Sequence, residues 1–394
     1  MTDVLVIGGG LAGWRAAEAA VKAGASVVLV ANGAGNSPDI HALNVPVRDD
    51  DSVERFMDDT VKSGRGACDH ALVETLCRGS VALAGEFPFD RNPDGSYKLL
   101  QPLGCSVPRC VSIDHKIGAW ALAKIRHELA GKVDVVKGRV KNIDQDHSLF
   151  TINYSLDDED VSCEARSVVI ATGGWCGKYA FSDNSPELRG DGIDMAVRLG
   201  AATRDMDAVQ YEPTVALAPE KLRGIPVITT MLHDGATFRN KDGQEFLTDK
   251  HANKDDISSA IFAEIKSGRG VSAGVCASAR SHESGVWFDA TRIPKSLLET
   301  TYIDTVRRYA ACGVDISREP MLVAPAPHTS LGGLVIDTHC RVLRADGSPI
   351  SGLFAAGEVT GGIHGLNRIG GNAGTEVLVF GRIAGEEAAK SQRF

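Results

Sequence analysis

Glycines spaced two and three residues apart at a strand-to-helix turn let bare backbone approach a phosphate, and Gly8, Gly10 and Gly13 form such a set. They follow the apolar run Asp3-Val-Leu-Val-Ile7 and precede an Ala-rich stretch from Trp14, so a helix N-terminus would offer N–H donors and a favourable dipole to a pyrophosphate. Two more glycine turns recur. Ile170-Ala-Thr-Gly-Gly174 follows a second apolar strand, and Gly352-Leu-Phe-Ala-Ala-Gly-Glu358 follows a turn. The acid expected at the end of the second strand, where it would hold an adenosine ribose, is missing, because that strand runs through Val30 into Ala31-Asn32. Ordinary NAD binding loses support, and three such turns suit the longer FAD molecule.

The elements that must position these turns are legible in outline. Val4 to Ile7, the glycines, a helix from about Trp14 and the strand Ser26 to Val30 make a βαβ unit. A charged, helix-patterned stretch runs from Asp50 to about Arg78, a Pro/Gly-rich passage from Phe87 to Pro108, and a helix from about Gly118 to Leu129. Residues 133–170 alternate apolar and polar in short runs, which predicts antiparallel strands leading back into the sheet. Between about 207 and 326 the elements become short and mixed, with turn signals such as Asn240-Lys-Asp-Gly243, and a helix at about 372–391 closes the chain. The pattern predicts an α/β fold: a Rossmann-like FAD-binding domain from 1–206 and 327–394, with an inserted α+β capping domain at 207–326.

Composition narrows the partners. The 394 residues are 43% hydrophobic, enough for a sizeable core and two domains. Lys+Arg 42 against Asp+Glu 51 gives a net charge of -9 without a basic block, which excludes a nucleic-acid surface. No apolar run reaches the length of a membrane span, and Met1-Thr2 leads straight into a strand, so a cytoplasmic protein without a signal peptide is expected. The nine cysteines are an odd number without a CxxC or Cys/His cluster, so reduced thiols and no bound metal are expected.

From His328-Thr-Ser-Leu-Gly-Gly333 through Gly352 to Leu366-Asn-Arg-Ile-Gly-Gly-Asn372, the chain resembles the fumarate reductase, succinate dehydrogenase and aspartate oxidase flavoproteins. The resemblance extends to Ala171-Thr-Gly-Gly174, Gly190-Asp-Gly192, Asp51-Ser-Val-Glu54, Gly104-Cys-Ser-Val-Pro-Arg109, Trp287-Phe-Asp289 and Gly313-Val-Asp315, and so to essentially the whole chain. It implies that Gly8, Gly10, Gly13, Ser37, Thr172, Gly173, Asp191, Glu358 and Asn372 line FAD. The respiratory members carry a flavin-linking His one residue after the position of Ser37. Pro38 stands there and His41 is out of register, which implies non-covalent FAD and a surface or structural role for His41.

The family moves a hydride between flavin N5 and one carbon, and a proton between the neighbouring carbon and an acid/base, while cations hold the carboxylates. Two of the four usual positions are kept, His328 and Arg368, the latter suited to gripping a carboxylate with its fork. Glu212 stands in Gln210-Tyr-Glu-Pro-Thr214 where the family has a carboxylate-binding His, and Lys254 stands where it has the general-acid Arg; Lys254 either serves as the acid/base or simply pairs with Glu212 or Asp255. Thr229-Thr-Met-Leu-His233 likewise replaces the Thr-Glu-x-x-Arg relay. An uncompensated Glu212 would repel a second carboxylate by about 4 kcal/mol at about 4 Å. The resemblance thus implies a small organic acid other than fumarate or succinate. An amine or amino-acid oxidase is one alternative, and an altered flavoprotein subunit serving an electron-transfer partner is another. His364 is expected to pack against the flavin rather than react.

Overall fold

A computed structural model describes residues 1–157, 159–249, 252–275 and 283–391. The chain forms two compact units. The first is Met1–Lys178, Ser185–Val209 and Thr329 onward, and the second is Tyr179–Asn184 with Gln210–His328.

The core of the first unit is a sheet in the order Arg341–Leu343, Pro349–Ala355, Glu159–Ile170, Thr2–Ile7, Val27–Ala31, Asp134–Lys137. The inner strands are parallel, with Val4, Leu5 and Val6 fully buried, as near-continuous Val/Ile/Leu runs covered on both faces require. Arg139–Asp146, Leu149–Leu156 and Glu159–Ile170 form an antiparallel meander, in line with the alternating runs read from sequence. One part of that reading is corrected. Asp134–Lys137 pairs in parallel with Val27–Ala31 and extends the central sheet. The charged, helix-patterned stretch after Asp50 is helical, as two helices, Val53–Ser63 and His70–Ser80, each capped by a side chain (Ser52 and Asp69) that accepts from first-turn N–H groups.

The opening helix Leu11–Lys22 and the closing helix Asn372–Lys390 lie in close contact. Gly381 and Gly385, one turn apart, make this approach possible: a β-carbon at Gly385 would come 2.1 Å from the Ala16 carbonyl oxygen, and one at Gly381 2.7 Å from that of Ala12. Elsewhere in the unit Arg109, with no exposed surface, joins two of the segments that carry the family resemblance. Its Nε and Nη2 donate to Asp51 at 3.0 and 2.9 Å, and its Nη1 lies 2.8 Å from Asp59.

The second unit is built on a five-stranded sheet in the order Val209–Ala216, Met321–Ser330, Ser284–Asp289, Thr237–Arg239, with Val271–Ser272 beside Ser284–Asp289. The helix Lys254–Lys266 packs on it through buried Ile257 and Ile261, within a core that includes Phe238, Phe288 and Tyr309. No helix among the described residues is long and apolar enough to cross a membrane. The eight described cysteines are free, and Cys276 lies outside the described residues.

Candidate functional site

In the first unit Ile7, Ile170 and Ala355 are register partners on three adjacent parallel strands. The three glycine turns of the sequence therefore leave the sheet side by side at its carboxyl edge, the crevice in which open α/β sheets hold ligands. Gly8 has φ +119°, and a β-carbon there would lie 2.2 Å from the Ala171 carbonyl oxygen; one at Gly13 would lie 2.0 Å from that of Gly8. Side chains at these positions would separate the first turn from the second. Gly10 begins the opening helix without a side-chain cap of its own, and Ser37 supplies one from a distance, its Oγ accepting from the Leu11 N–H at 2.8 Å.

The Thr172 hydroxyl is buried with no partner among the described residues. Beside it Gly173 has φ +75°. Glu358 is held by Ser330, whose N–H and Oγ both donate to Oε1 at 2.9 Å, and a β-carbon at Gly174 would come within 2.3 Å of that oxygen. A bare glycine loop, an orphaned hydroxyl and a fixed carboxylate in one unit match the pyrophosphate and polyol of a flavin dinucleotide. Pro38 lies in the short turn Ser37–Asp39 and has no nucleophilic atom for a covalent flavin link. His41 is exposed, and its Nδ1 lies 2.9 Å from the His115 carbonyl oxygen, a structural contact.

Other sequence candidates in this unit are engaged by protein groups. Asp191, the first residue of the helix Asp191–Arg198, pairs with Arg139, whose Nε lies 3.1 Å away. Fully buried Asn372 accepts from Asn44 Nδ2 at 2.6 Å and donates to Thr60 Oγ1 at 3.2 Å. Its side-chain amide thus ties the closing helix to the strand Leu43–Asn44 and to the helix Val53–Ser63. Arg368 is buried, with Nη1 donating to the Ile369 carbonyl at 3.1 Å. His364 is buried with Nε2 2.8 Å from Glu376 Oε2, while its Nδ1 has no partner among the described residues.

The second unit gathers Glu212, Lys254 and His328. Glu212 lies in the strand Val209–Ala216, and Lys254 opens its helix behind the Asn253 cap. Lys254 Nζ donates to Glu212 Oε2, while Glu212 Oε1 accepts from Thr229 Oγ1 at 2.7 Å and Thr214 Oγ1 at 3.3 Å. Burial works against the charged Glu212, but the Lys254 ammonium, then His328 and the donated hydrogen bonds, outweigh it and hold the carboxyl below its ordinary value. Of the two roles the sequence left open for Lys254, the pairing with Glu212 is the one formed, and Glu212 is not an uncompensated charge. Glu212 and Lys254 form a nearly neutral pair, and the repulsion of about 4 kcal/mol expected from an isolated charge does not apply.

His328 brings in residues that the sequence reading missed. Its Nδ1 lies 2.6 Å from Asp183 Oδ2. Around it, Ser182 Oγ donates to the Pro327 carbonyl at 2.8 Å and Asn184 Nδ2 to the His328 carbonyl at 2.7 Å. Three consecutive residues, Ser182-Asp183-Asn184, thus clamp the His328 segment and leave Nε2 without a partner among the described residues. No periodicity or motif marks 182–184, which are about 145 residues from the group they hold.

A family model described as "FAD binding domain" matches residues 3–110 and 119–373. The chain is 30% identical to a subunit of the fumarate reductase (CoM/CoB) of Methanothermobacter marburgensis, covering 99% of this chain and 72% of that protein. It is 29% identical to the L-aspartate oxidase of Caulobacter vibrioides, over 98% and 76% of the two. Among solved structures, E. coli quinol fumarate reductase superposes with a TM-score of 0.88 at 26% identity, covering 99% of this chain and 70% of that one.

Proposed function

The chain belongs to the FAD binding domain family of flavoproteins, and on that premise we propose that it oxidises or reduces a small organic acid bearing a single carboxylate. It is an FAD-dependent oxidoreductase of the fumarate reductase and aspartate oxidase type. FAD, held non-covalently by the glycine turns with Ser37, Thr172 and Glu358, supplies the two-electron chemistry when bound.

The observation that carries the substrate reading is the Glu212–Lys254 pair together with Asp183–His328. Lys254 and His328 in the second unit each already face a carboxylate of the protein, so a further anion gains little there. Arg368 is assigned the substrate carboxylate, which it can grip in a fork. Lys254, 28% exposed, can hold a proton for the substrate and regain it from water. His328 offers Nε2 as a hydrogen-bonding group to a neutral part of the substrate, its ring fixed by Asp183. A substrate ammonium would have to displace Lys254 from Glu212, which weakens the amine oxidase reading.

The methanogen relative is by name one component of a larger reductase, and an electron-transfer partner belongs to this reading. The free cysteines favour a reducing compartment, and we assign the cytoplasm.

The test is to purify the flavoprotein and follow bleaching or reoxidation of its visible absorption across matched mono- and dicarboxylic acids. Faster turnover of monocarboxylates, lost in Arg368→Ala, is expected. Preference for fumarate or succinate would overturn the substrate class. Bound FAD with no turnover on any acid would instead favour a flavin-carrying component without its own catalysis.

A further inference from the structure

The carboxylate missing from the end of the strand Val27–Ala31 has a replacement from elsewhere in the chain: we infer that Glu187 takes the adenosine ribose of FAD. In dinucleotide-binding folds an acid at the end of the second strand accepts hydrogen bonds from ribose hydroxyls. Here that strand continues into Ala31-Asn32-Gly33, none of which bears a carboxylate.

The loop after the strand is covered by the segment 185–188 of the same unit, and three contacts fix the cover. The Ser185 N–H donates to Asn36 Oδ1 at 3.0 Å. The Leu188 side chain lies over two bare glycines, 3.3 Å from where a β-carbon of Gly35 would be and 3.0 Å from that of Gly173. Between these anchors Glu187 Oε2 lies 3.5 Å from the β-carbon position of Gly33, a glycine with φ +149° just past the strand. The carboxylate thus reaches the end of the second strand from a loop more than 150 positions along the chain.

Two further features suit the role. Glu187 is exposed and makes no hydrogen bond or ion pair among the described residues, so its oxygens are not spent on another protein group. The same segment that places Glu187 also touches Gly173, in the second glycine turn, so the cover runs from the adenosine end of the dinucleotide crevice to its middle. A carboxylate here would accept from a ribose diol and repel a ribose phosphate. This inference rests on FAD binding alone and is independent of the substrate reading above.

The test strips FAD from the holoenzyme and titrates back FAD, or analogues lacking the 2′ or the 3′ hydroxyl of the adenosine ribose, following quenching of flavin fluorescence. Glu187→Ala is expected to weaken FAD binding roughly ten-fold or more, as for a lost hydrogen bond to a charged group. Wild type should lose a similar factor with at least one deoxy analogue, and Glu187→Ala should lose almost nothing further with that analogue. Unchanged FAD affinity in Glu187→Ala, or equal discrimination among the three ligands by both proteins, overturns the inference. Because Glu187 is exposed, the melting temperature of the apoprotein should not change, and this separates ribose contact from damage to the fold.

Discussion

Removing Lys254 and removing Glu212 should have very different consequences, although each breaks the same ion pair. The Glu212 side chain is 5% exposed and the Lys254 side chain 28% exposed. In Lys254→Met the carboxylate stays buried, hydrogen-bonded only by the Thr229 and Thr214 hydroxyls with His328 nearby. An uncompensated buried charge costs about 3–5 kcal/mol. Protonation limits that cost: neutralising a carboxyl of ordinary pKa 4.5 takes about 3 kcal/mol at pH 7 and less than about 1 kcal/mol at pH 5. Glu212→Gln leaves an ammonium that can turn into water and keeps an acceptor for Thr229, so about 1 kcal/mol is expected. Adding Glu212→Gln to Lys254→Met should recover most of the loss at pH 7. Native-state hydrogen exchange of amides in the strand Val209–Ala216 reads the effect locally, which suits a chain of two units for which a single unfolding free energy is poorly defined. Equal losses in the two single variants, or a Lys254→Met penalty that does not shrink between pH 7 and pH 5, would refute the argument.

Other outcomes follow from the same geometry. Glu212 has its folded pKa below 4.5, so its stabilising contribution is complete above about pH 4.5 and is lost as pH falls through the folded value; pH-dependent melting should show a slope there that Glu212→Gln reduces. Gly13→Ala should abolish FAD retention, measured as flavin content after gel filtration, because its β-carbon would meet the Gly8 carbonyl oxygen at 2.0 Å and that atom belongs to the backbone. Burial raises the thiols of Cys68 to about 11 and of Cys77 and Cys105 to about 12, so alkylation of the native protein near pH 8 should spare all three, and mass spectrometry should find label on Cys312, which is only half-buried. Asp183→Asn should change the tautomer of His328, seen in its ring-nitrogen NMR shifts, and lower kcat more than it changes KM; an unaltered tautomer would remove Asp183 from the positioning role.

What is legible in the sequence, and what is not, follows from the range of the interactions involved. The glycine turn after Ile7 is a local signal, since strand, turn and helix are contiguous and each glycine is required by backbone a few residues away, as Gly13 is by Gly8. The family resemblance is legible because it lies in such contiguous segments, and the helices at 117–128 and 372–390 appear within a residue or two of where composition puts them. The strand at 134–137 reads as antiparallel in sequence and is parallel in the fold, because alternation reports which faces are buried and says nothing of the neighbouring strand's direction. Charge compensation is legible only as an unresolved alternative. The sequence offers both Glu212 and Asp255 as partners for Lys254 and does not choose between them, because Glu212 is 42 residues away on another element and no spacing rule joins a strand residue to the first residue of a later helix. The same holds for Asp183 with His328 and for Glu187 with Gly33, where loop residues act across about 145 and 154 positions. A charged residue singled out from sequence therefore has to be weighed with the groups that fold against it. The Glu212 charge has its counter-charge in Lys254, and the chemistry proposed for this site turns on that pairing.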